Sequence, residues 1–126
     1  MPLTIVLADP HLRSAEAITR LLETQPGFSV VAMARDRTSA ARMLRQHRPG
    51  VLLVDLGILD AGVNQLPLLQ QASPGTRLVL MGMDDASTPS EEARRLGAER
   101  YLRKDASLDA WLAALRGEAS ADGQPR

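Results

Sequence analysis

A chain of 126 residues with a formal net charge of zero is long enough for one domain, and it gives no reason to expect bulk attraction to nucleic acid. The absence of cysteine excludes disulfides, thiol catalysis and cysteine-based zinc sites. The two histidines, His11 and His47, lie far apart in the sequence and match no metal-binding spacing. No apolar run approaches the roughly 20 residues of a membrane span. Because Met1-Pro2 leads straight into an apolar run, we expect no signal peptide and a cytoplasmic location.

Five apolar runs predict β-strands at residues 3–8, 28–34, 51–54, 78–81 and 101–103. The third run, Val-Leu-Leu-Val, is apolar throughout, which is typical of a parallel strand buried on both faces. Helical patterns alternate with the runs. Right-handed connections between them favour an α/β fold with an open, doubly wound sheet of five parallel strands.

Apolar residues at helical spacing indicate which sides of the helices are buried. In the first two helices these residues are Leu12, Ala15, Ile18, Leu21 and Leu22, followed by Ala40, Leu44 and His47. The fourth helix follows Ser87-Thr88-Pro89 and can bury little beyond Ala93 and Leu96, so we expect it to be the least stable element. Ser107 is predicted to cap the fifth helix, whose apolar stripe is Leu108, Trp111, Leu112 and Leu115.

Three charged residues stand where predicted strands end, at the edge of the sheet where ligands bind in open α/β folds. They are Asp9, Asp55 and Lys104. A single carboxylate after a strand can merely begin a loop, but groups at neighbouring strand ends predict one pocket. Lys104 is the only lysine beside 14 arginines, and lysine is a compact point charge that can reach a single oxygen.

Two aspartates and a lysine suit Mg²⁺ and a phosphoryl group, because carboxylate oxygens hold the ion and the lysine balances developing negative charge. The sequence contains no glycine-rich phosphate loop, no Ser/His/Asp arrangement and no Glu-x-x-His pair. We therefore expect the phosphate to be accepted on a side chain, with Asp55 as the nucleophile.

These residues make the chain resemble the receiver domain of bacterial two-component response regulators, over roughly residues 3–116. The resemblance implies the CheY-like (βα)5 fold with strand order 2-1-3-4-5, and a phosphoacceptor signalling domain rather than an enzyme. Asp55 corresponds to the phosphoacceptor, acting with Lys104. The remaining implied roles are Mg²⁺ ligation by Asp9, Asp55 and Gly57, and switch positions at Gly82 and Tyr101.

Residues 97–107 resemble the LuxR-type transcriptional subfamily in particular. The resemblance implies a sensor histidine kinase as partner, no membrane partner, and contact with DNA only through an effector domain that this chain does not include. We expect residues 1–116 to form the receiver and 117–126 to be a flexible tail or the start of a linker, so the chain is either a stand-alone receiver or a fragment. In this family the surface of helix 4, strand 5 and helix 5 commonly pairs two receivers. Here that surface would present Arg94, Arg95, Arg103 and Asp109.

Several positions depart from the family pattern. Pro10 replaces the second of two adjacent acids, and Gly82 replaces a serine or threonine. We therefore expect weak or absent Mg²⁺ binding and inefficient phosphorylation of Asp55. Two alternatives stay open: a phosphorylation-independent pseudo-receiver that serves as a dimerisation or docking module, and an unrelated small α/β enzyme or nucleotide binder, for which no second catalytic constellation is present.

Overall fold

The computed structural model describes residues 2–83 and 91–118. Its strands are β1 (Leu3–Ala8), β2 (Phe28–Ala34), β3 (Val51–Asp55), β4 (Arg77–Gly82) and β5 (Ala98–Arg103). Its helices are α1 (Leu12–Glu23), α2 (Arg37–His47), α3 (Leu66–Ala72), α4 (Glu91–Arg95) and α5 (Leu108–Arg116). Two short 3₁₀ turns, Leu56–Ile58 and Val63–Gln65, connect β3 to α3.

The five strands form one sheet in the order β2-β1-β3-β4-β5, and every neighbouring pair is parallel. The predicted fold class and strand order are therefore confirmed. β3 lies at the centre and is buried along its whole length, whereas most of β2 is only half-buried because it lies at an edge. This order brings the carboxyl ends of β1 and β3 side by side, which fixes where a site can form.

Helices cover both faces of the sheet. One apolar core joins sheet residues to α2, α3 and α4 through residues such as Leu44, Leu69 and Ala93. The other core joins the opposite face to α1 and α5, where Trp111 is the largest fully buried side chain. Both faces are therefore closed by packing, as a parallel sheet requires.

Some residues in the predicted apolar stripes lie at the surface. Leu12 is 45% exposed, and Leu21 and Leu108 are exposed as well. His47 is also exposed rather than buried beside Leu44. In α5 the buried positions include Ala113 and Ala114, which the predicted apolar stripe did not contain.

The ends of the last two helices differ in how much the structure describes. Ser107 accepts a hydrogen bond from the Ala110 N–H, which confirms the predicted cap of α5. The predicted cap at Ser87-Thr88-Pro89 lies outside the described residues, as does the segment 119–126. Within residues 2–83 and 91–118, the structure contains no helix with the length and apolar character needed to span a membrane.

Candidate functional site

Three of the predicted site residues meet at the carboxyl edge of the sheet. Asp9 directly follows β1, Asp55 is the last residue of β3, and Lys104 directly follows β5. The Lys104 Nζ lies 2.7 Å from Asp9 Oδ2 and 2.8 Å from Asp55 Oδ1. Asp9 is fully buried and Asp55 nearly so, which makes this a desolvated cluster of charges rather than a surface ion pair.

Backbone groups hold the second oxygen of each carboxylate. The His11 N–H donates to Asp9 Oδ1 at 2.9 Å, and the Gly57 N–H donates to Asp55 Oδ2 at 2.8 Å. The Lys104 N–H donates to the Gly82 carbonyl oxygen at 2.8 Å and thereby extends the β4–β5 pairing up to the lysine. The backbone that follows β1 and β3 thus orients the two carboxylates, and the carboxylates hold the Lys104 ammonium group.

The site holds more negative than positive charge among the described residues. Burial works against the charged form of Lys104, but hydrogen bonds to Asp55 and Asp9 and the negative charge of both carboxylates outweigh burial, so the pKa of Lys104 is raised above its ordinary value. Lys104 therefore stays an ammonium ion at neutral pH. Among the described residues, one ammonium group faces two carboxylates in this cluster, which leaves room for a further positive charge.

The donor set fits a divalent cation only in part. Asp9 and Asp55 offer the carboxylate oxygens that Mg²⁺ prefers, whereas the side chain of Pro10 has no donor atom. Gly57 lies close to Asp55 and Pro10, since a Cβ at position 57 would lie 2.9 Å from Asp55 Oδ2 and 3.0 Å from Pro10 Cγ. Only a residue without a side chain fits this position without displacing the proline or the carboxylate.

His11 was not predicted as part of the site. Asp9, His11 and Asp55 can each offer a ligand atom, and these atoms all lie within 4.8 Å of one another. The sequence prediction compared His11 only with the distant His47. The signal that could have found it is its position two residues after a strand-end aspartate.

Gly82 and Tyr101 are in direct contact. A Cβ on Gly82 would lie 2.6 Å from the Tyr101 Oη, which is closer than atoms can pack. Tyr101 is 7% exposed, so its side chain is held inside, over the glycine. The tyrosine hydroxyl thus occupies the space in which a serine or threonine side chain would begin.

A separate cavity of about 710 Å³ lies at the opposite edge of the sheet. It is lined by the C-terminal ends of α2 and α3 and by the connections that follow them, among them Arg45, Arg48 and Ser73. The Ser73 hydroxyl is buried and hydrogen-bonded with Thr76 Oγ1 at 2.7 Å, and the described lining of this cavity contains no acid or histidine beside it. The charged cluster, and not this cavity, is therefore the candidate site.

Fold and site together define an α/β domain of the receiver type, and comparison with known proteins agrees. A model of the response regulator receiver domain family matches residues 5–116, and the chain belongs to this family. Receiver domains of this family bind Mg²⁺ at an acidic pocket. They are signalling domains and generally not enzymes.

Curated relatives include the transcriptional regulatory protein DegU of Brevibacillus brevis, which is 28% identical over 89% of this chain and 48% of its own length. The nitrate/nitrite response regulator protein NarP of Escherichia coli (strain K12) is 29% identical over 94% of this chain and 55% of its own length. The chain thus spans about half the length of these relatives. A crystal structure of a LuxR-family two-component response regulator from Aurantimonas sp. SI85-9A1 matches with a TM-score of 0.80 and 29% identity, over 97% of this chain and 92% of that one.

Proposed function

We propose that this receiver domain accepts a phosphoryl group at Asp55, and that it does so inefficiently. The observation that carries the proposal is the position of Asp55 at the buried end of β3, with its carboxylate bound by Lys104 and next to Asp9. Pro10 and Gly82 support the second half of the proposal, because each removes a polar group from the pocket.

In the proposed reaction, an Asp55 carboxylate oxygen attacks the phosphorus of a phosphohistidine on a sensor histidine kinase. The phosphorus–nitrogen bond breaks, a phosphorus–oxygen bond forms, and the released imidazole takes up a proton. The Lys104 ammonium group, which bridges the two carboxylates, is within reach of an oxygen of the transferred group. A Mg²⁺ ion, when bound by Asp9, Asp55 and the Gly57 region, would offset negative charge on the phosphoryl oxygens.

The missing groups have a calculable effect. A lost hydrogen bond from a hydroxyl to a charged group costs roughly 1.5–3 kcal/mol, which corresponds to a factor of about ten to a hundred. Gly82 cannot supply that bond. Pro10 removes one full negative charge from the cation site, which generally relies on only one or two carboxylates. Both effects lower the rate of transfer and weaken Mg²⁺ binding.

The first prediction is therefore slow, incomplete phosphorylation. On incubation with Mg²⁺ and a small-molecule phosphodonor such as acetyl phosphate, intact-mass measurement should find a minor phosphorylated fraction in the wild type. Asp55→Asn should show none, whereas Asp60→Asn, which changes an exposed acid, should behave like the wild type.

Restoring the missing groups sharpens the test. The double substitution Pro10→Asp with Gly82→Ser should increase the phosphorylated fraction at a fixed time, since it returns an acid and a hydroxyl to the pocket. Near-complete phosphorylation of the wild type would contradict the proposed inefficiency. Equal modification of the wild type and Asp55→Asn would contradict Asp55 as the acceptor.

Pro10 and Gly82 also favour a second candidate, a pseudo-receiver that works as a dimerisation module. Arg94, Arg95 and Asp109 are exposed on the surface proposed for pairing. Arg103, on the same surface, is already held by Asp105 of the same chain at 2.8 Å. Sedimentation of a monomer at high concentration, in the presence and absence of a phosphoryl mimic, would remove this candidate.

The proposal extends to the whole protein from which such domains come. A sensor histidine kinase is the proposed phosphate donor and the cytoplasm the proposed location, both general for response regulators. In such a protein an effector domain would bind DNA. DegU is a transcriptional regulator by name, which supports an output in transcription. We assign residues 1–116 to the receiver and 117–126 to a tail or linker, and the family match over residues 5–116 supports this boundary.

A further inference from the structure

His11 lies at the entrance of the charged cluster and takes no part in the proposed phosphoryl transfer. Its ring can offer a nitrogen within 4.8 Å of ligand oxygens on Asp9 and Asp55. The histidine is exposed, while both aspartates are buried. The three groups thus form a cluster in which the histidine is the most exposed member.

The aspartate oxygens keep capacity for a cation. Each of the four carboxylate oxygens receives one hydrogen bond, from Lys104, the His11 N–H or the Gly57 N–H. A carboxylate oxygen has a second lone pair available for ligation. Because two buried carboxylates face one ammonium group among the described residues, the cluster has an excess of negative charge that a cation would neutralise.

We propose that a ring nitrogen of His11 is the third protein ligand of a divalent cation held by Asp9 and Asp55, and that this ligand favours a transition-metal ion over Mg²⁺. The inference concerns the cation of the pocket that contains the proposed phosphoacceptor, and in that respect it rests on the proposed function.

The chemistry of the ligands determines the class of metal. Mg²⁺ is a hard cation that binds oxygen, whereas imidazole suits zinc and other first-row transition metals. Pro10 has removed an oxygen ligand, and His11, one residue further along the chain, adds a nitrogen ligand. A site with two carboxylates and one imidazole therefore shifts its preference towards metals such as Zn²⁺.

The test measures metal binding by isothermal titration calorimetry, without any phosphodonor. Untagged, metal-free chain is titrated with Zn²⁺ and separately with Mg²⁺, as wild type, His11→Ala and His47→Ala. His47 is the matched control, because it is the other histidine, is also exposed and lies at the end of α2. Zn²⁺ binds most oxygen sites more tightly than Mg²⁺ does. The deciding quantity is therefore the change in Zn²⁺ affinity that His11→Ala causes.

His11→Ala should lower Zn²⁺ affinity by at least about tenfold, the lower bound for losing even a supporting group of a metal site. Its Mg²⁺ affinity should be unchanged, and His47→Ala should match the wild type for both ions. The substitution should leave the fold intact, because the described structure contains no capping hydrogen bond from the His11 side chain to α1. A circular dichroism melt of each variant checks this.

A second measurement reports ligation directly. With ¹⁵N-labelled chain, Zn²⁺ should shift one ring nitrogen resonance of His11 and leave those of His47 in place. Equal Zn²⁺ affinity of the wild type and His11→Ala, or an unshifted His11 ring, would overturn the inference. Phosphorylation of Asp55 is measured separately by mass, so the failure of one proposal leaves the other standing.

Discussion

At the scale of single residues, the contact between Gly82 and Tyr101 bears on the proposed response of the domain to phosphorylation. The tyrosine side chain packs where any side chain at position 82 would begin, and it is buried there. A glycine cannot hydrogen-bond a phosphoryl group through a side chain, so it provides no pull on the β4 end when Asp55 is modified. The inward position of the Tyr101 side chain therefore depends on the absence of a side chain at position 82.

Gly82→Ala should drive the tyrosine outwards. The new Cβ would lie 2.6 Å from the Tyr101 Oη, and the far end of a side chain moves more easily than a strand. Because Tyr101 is the only tyrosine, its reaction with tetranitromethane reports its exposure directly. We expect faster nitration in Gly82→Ala than in the wild type. Gly75→Ala, where a Cβ meets nothing within 4 Å, is the control, and equal rates in all three chains would refute the expectation.

At the scale of secondary-structure elements, α2 has the most complete start among the helices whose N-terminal cap the structure describes. The Asp36 side chain accepts a hydrogen bond from the Ser39 N–H at 2.7 Å, and the Ser39 Oγ accepts one from the Asp36 N–H at 3.4 Å. This reciprocal capping box satisfies two N–H groups that the first turn of a helix would otherwise leave unpaired. The hydrogen bond from the Ser39 backbone, followed by that from its hydroxyl, lowers the pKa of the Asp36 carboxyl.

The lowered pKa makes this cap dependent on pH. The ordinary pKa of an aspartate such as Asp36 is 3.8. A carboxyl whose pKa is lower in the folded state stabilises the fold above its ordinary pKa, and this stabilisation is lost as the pH falls through the folded-state pKa. Asp36→Ala should therefore be less stable than the wild type at neutral pH, and the gap should narrow below about pH 4. Urea unfolding at several pH values measures this gap. A stability difference between the wild type and Asp36→Ala that stays constant down to pH 2 would contradict the charged cap. Asp36→Asn, which can cap without charge, should differ less from the wild type at neutral pH than Asp36→Ala does.

At the scale of the whole molecule, Arg77 connects elements that lie far apart in the sequence. It begins β4, pairs with Glu99 of β5 at 3.1 Å, and donates to the carbonyl oxygens of Ala114 and Leu115 at 2.9 and 2.7 Å. Those carbonyls lie in the last turn of α5, where carbonyl groups generally lack an N–H partner one turn further along. The Ala114 carbonyl also accepts a hydrogen bond from the Gly117 N–H at 3.2 Å. The planar fork of arginine can reach several acceptors at once, so one side chain holds the end of α5 against the sheet.

Arg77→Ala should lower the free energy of unfolding by about 2 kcal/mol, since it removes hydrogen bonds from a charged group to partly buried carbonyls. Fluorescence of the single, buried Trp111 on α5 follows the urea-induced transition. The free energy of unfolding of Arg77→Lys should lie between those of the wild type and Arg77→Ala, because lysine keeps the charge but lacks the planar fork of arginine. Arg45→Ala, which removes an exposed arginine, is the control. If it destabilised the chain as much as Arg77→Ala, the role of Arg77 would be wrong.

The sequence alone was enough to predict the parallel sheet, the strand order through a family resemblance, and the position of Asp9, Asp55 and Lys104 at its carboxyl edge. These features follow from local patterns, because a buried strand needs an unbroken apolar run and its charged residue must lie where the run ends. The cap at Ser107 is equally local, since it joins residues three apart.

The tertiary structure alone decided the features that depend on distance across the fold. His11 comes near Asp55 only because β1 and β3 are neighbours in the sheet, and Tyr101 meets Gly82 only through the pairing of β4 with β5. The exposure of Leu12 and His47 has the same origin: helical periodicity defines a side, but the angle at which a helix packs selects which residues of that side are covered. Contacts between residues remote in sequence leave no local pattern, and for that reason the histidine and the inward tyrosine were found only in the folded chain.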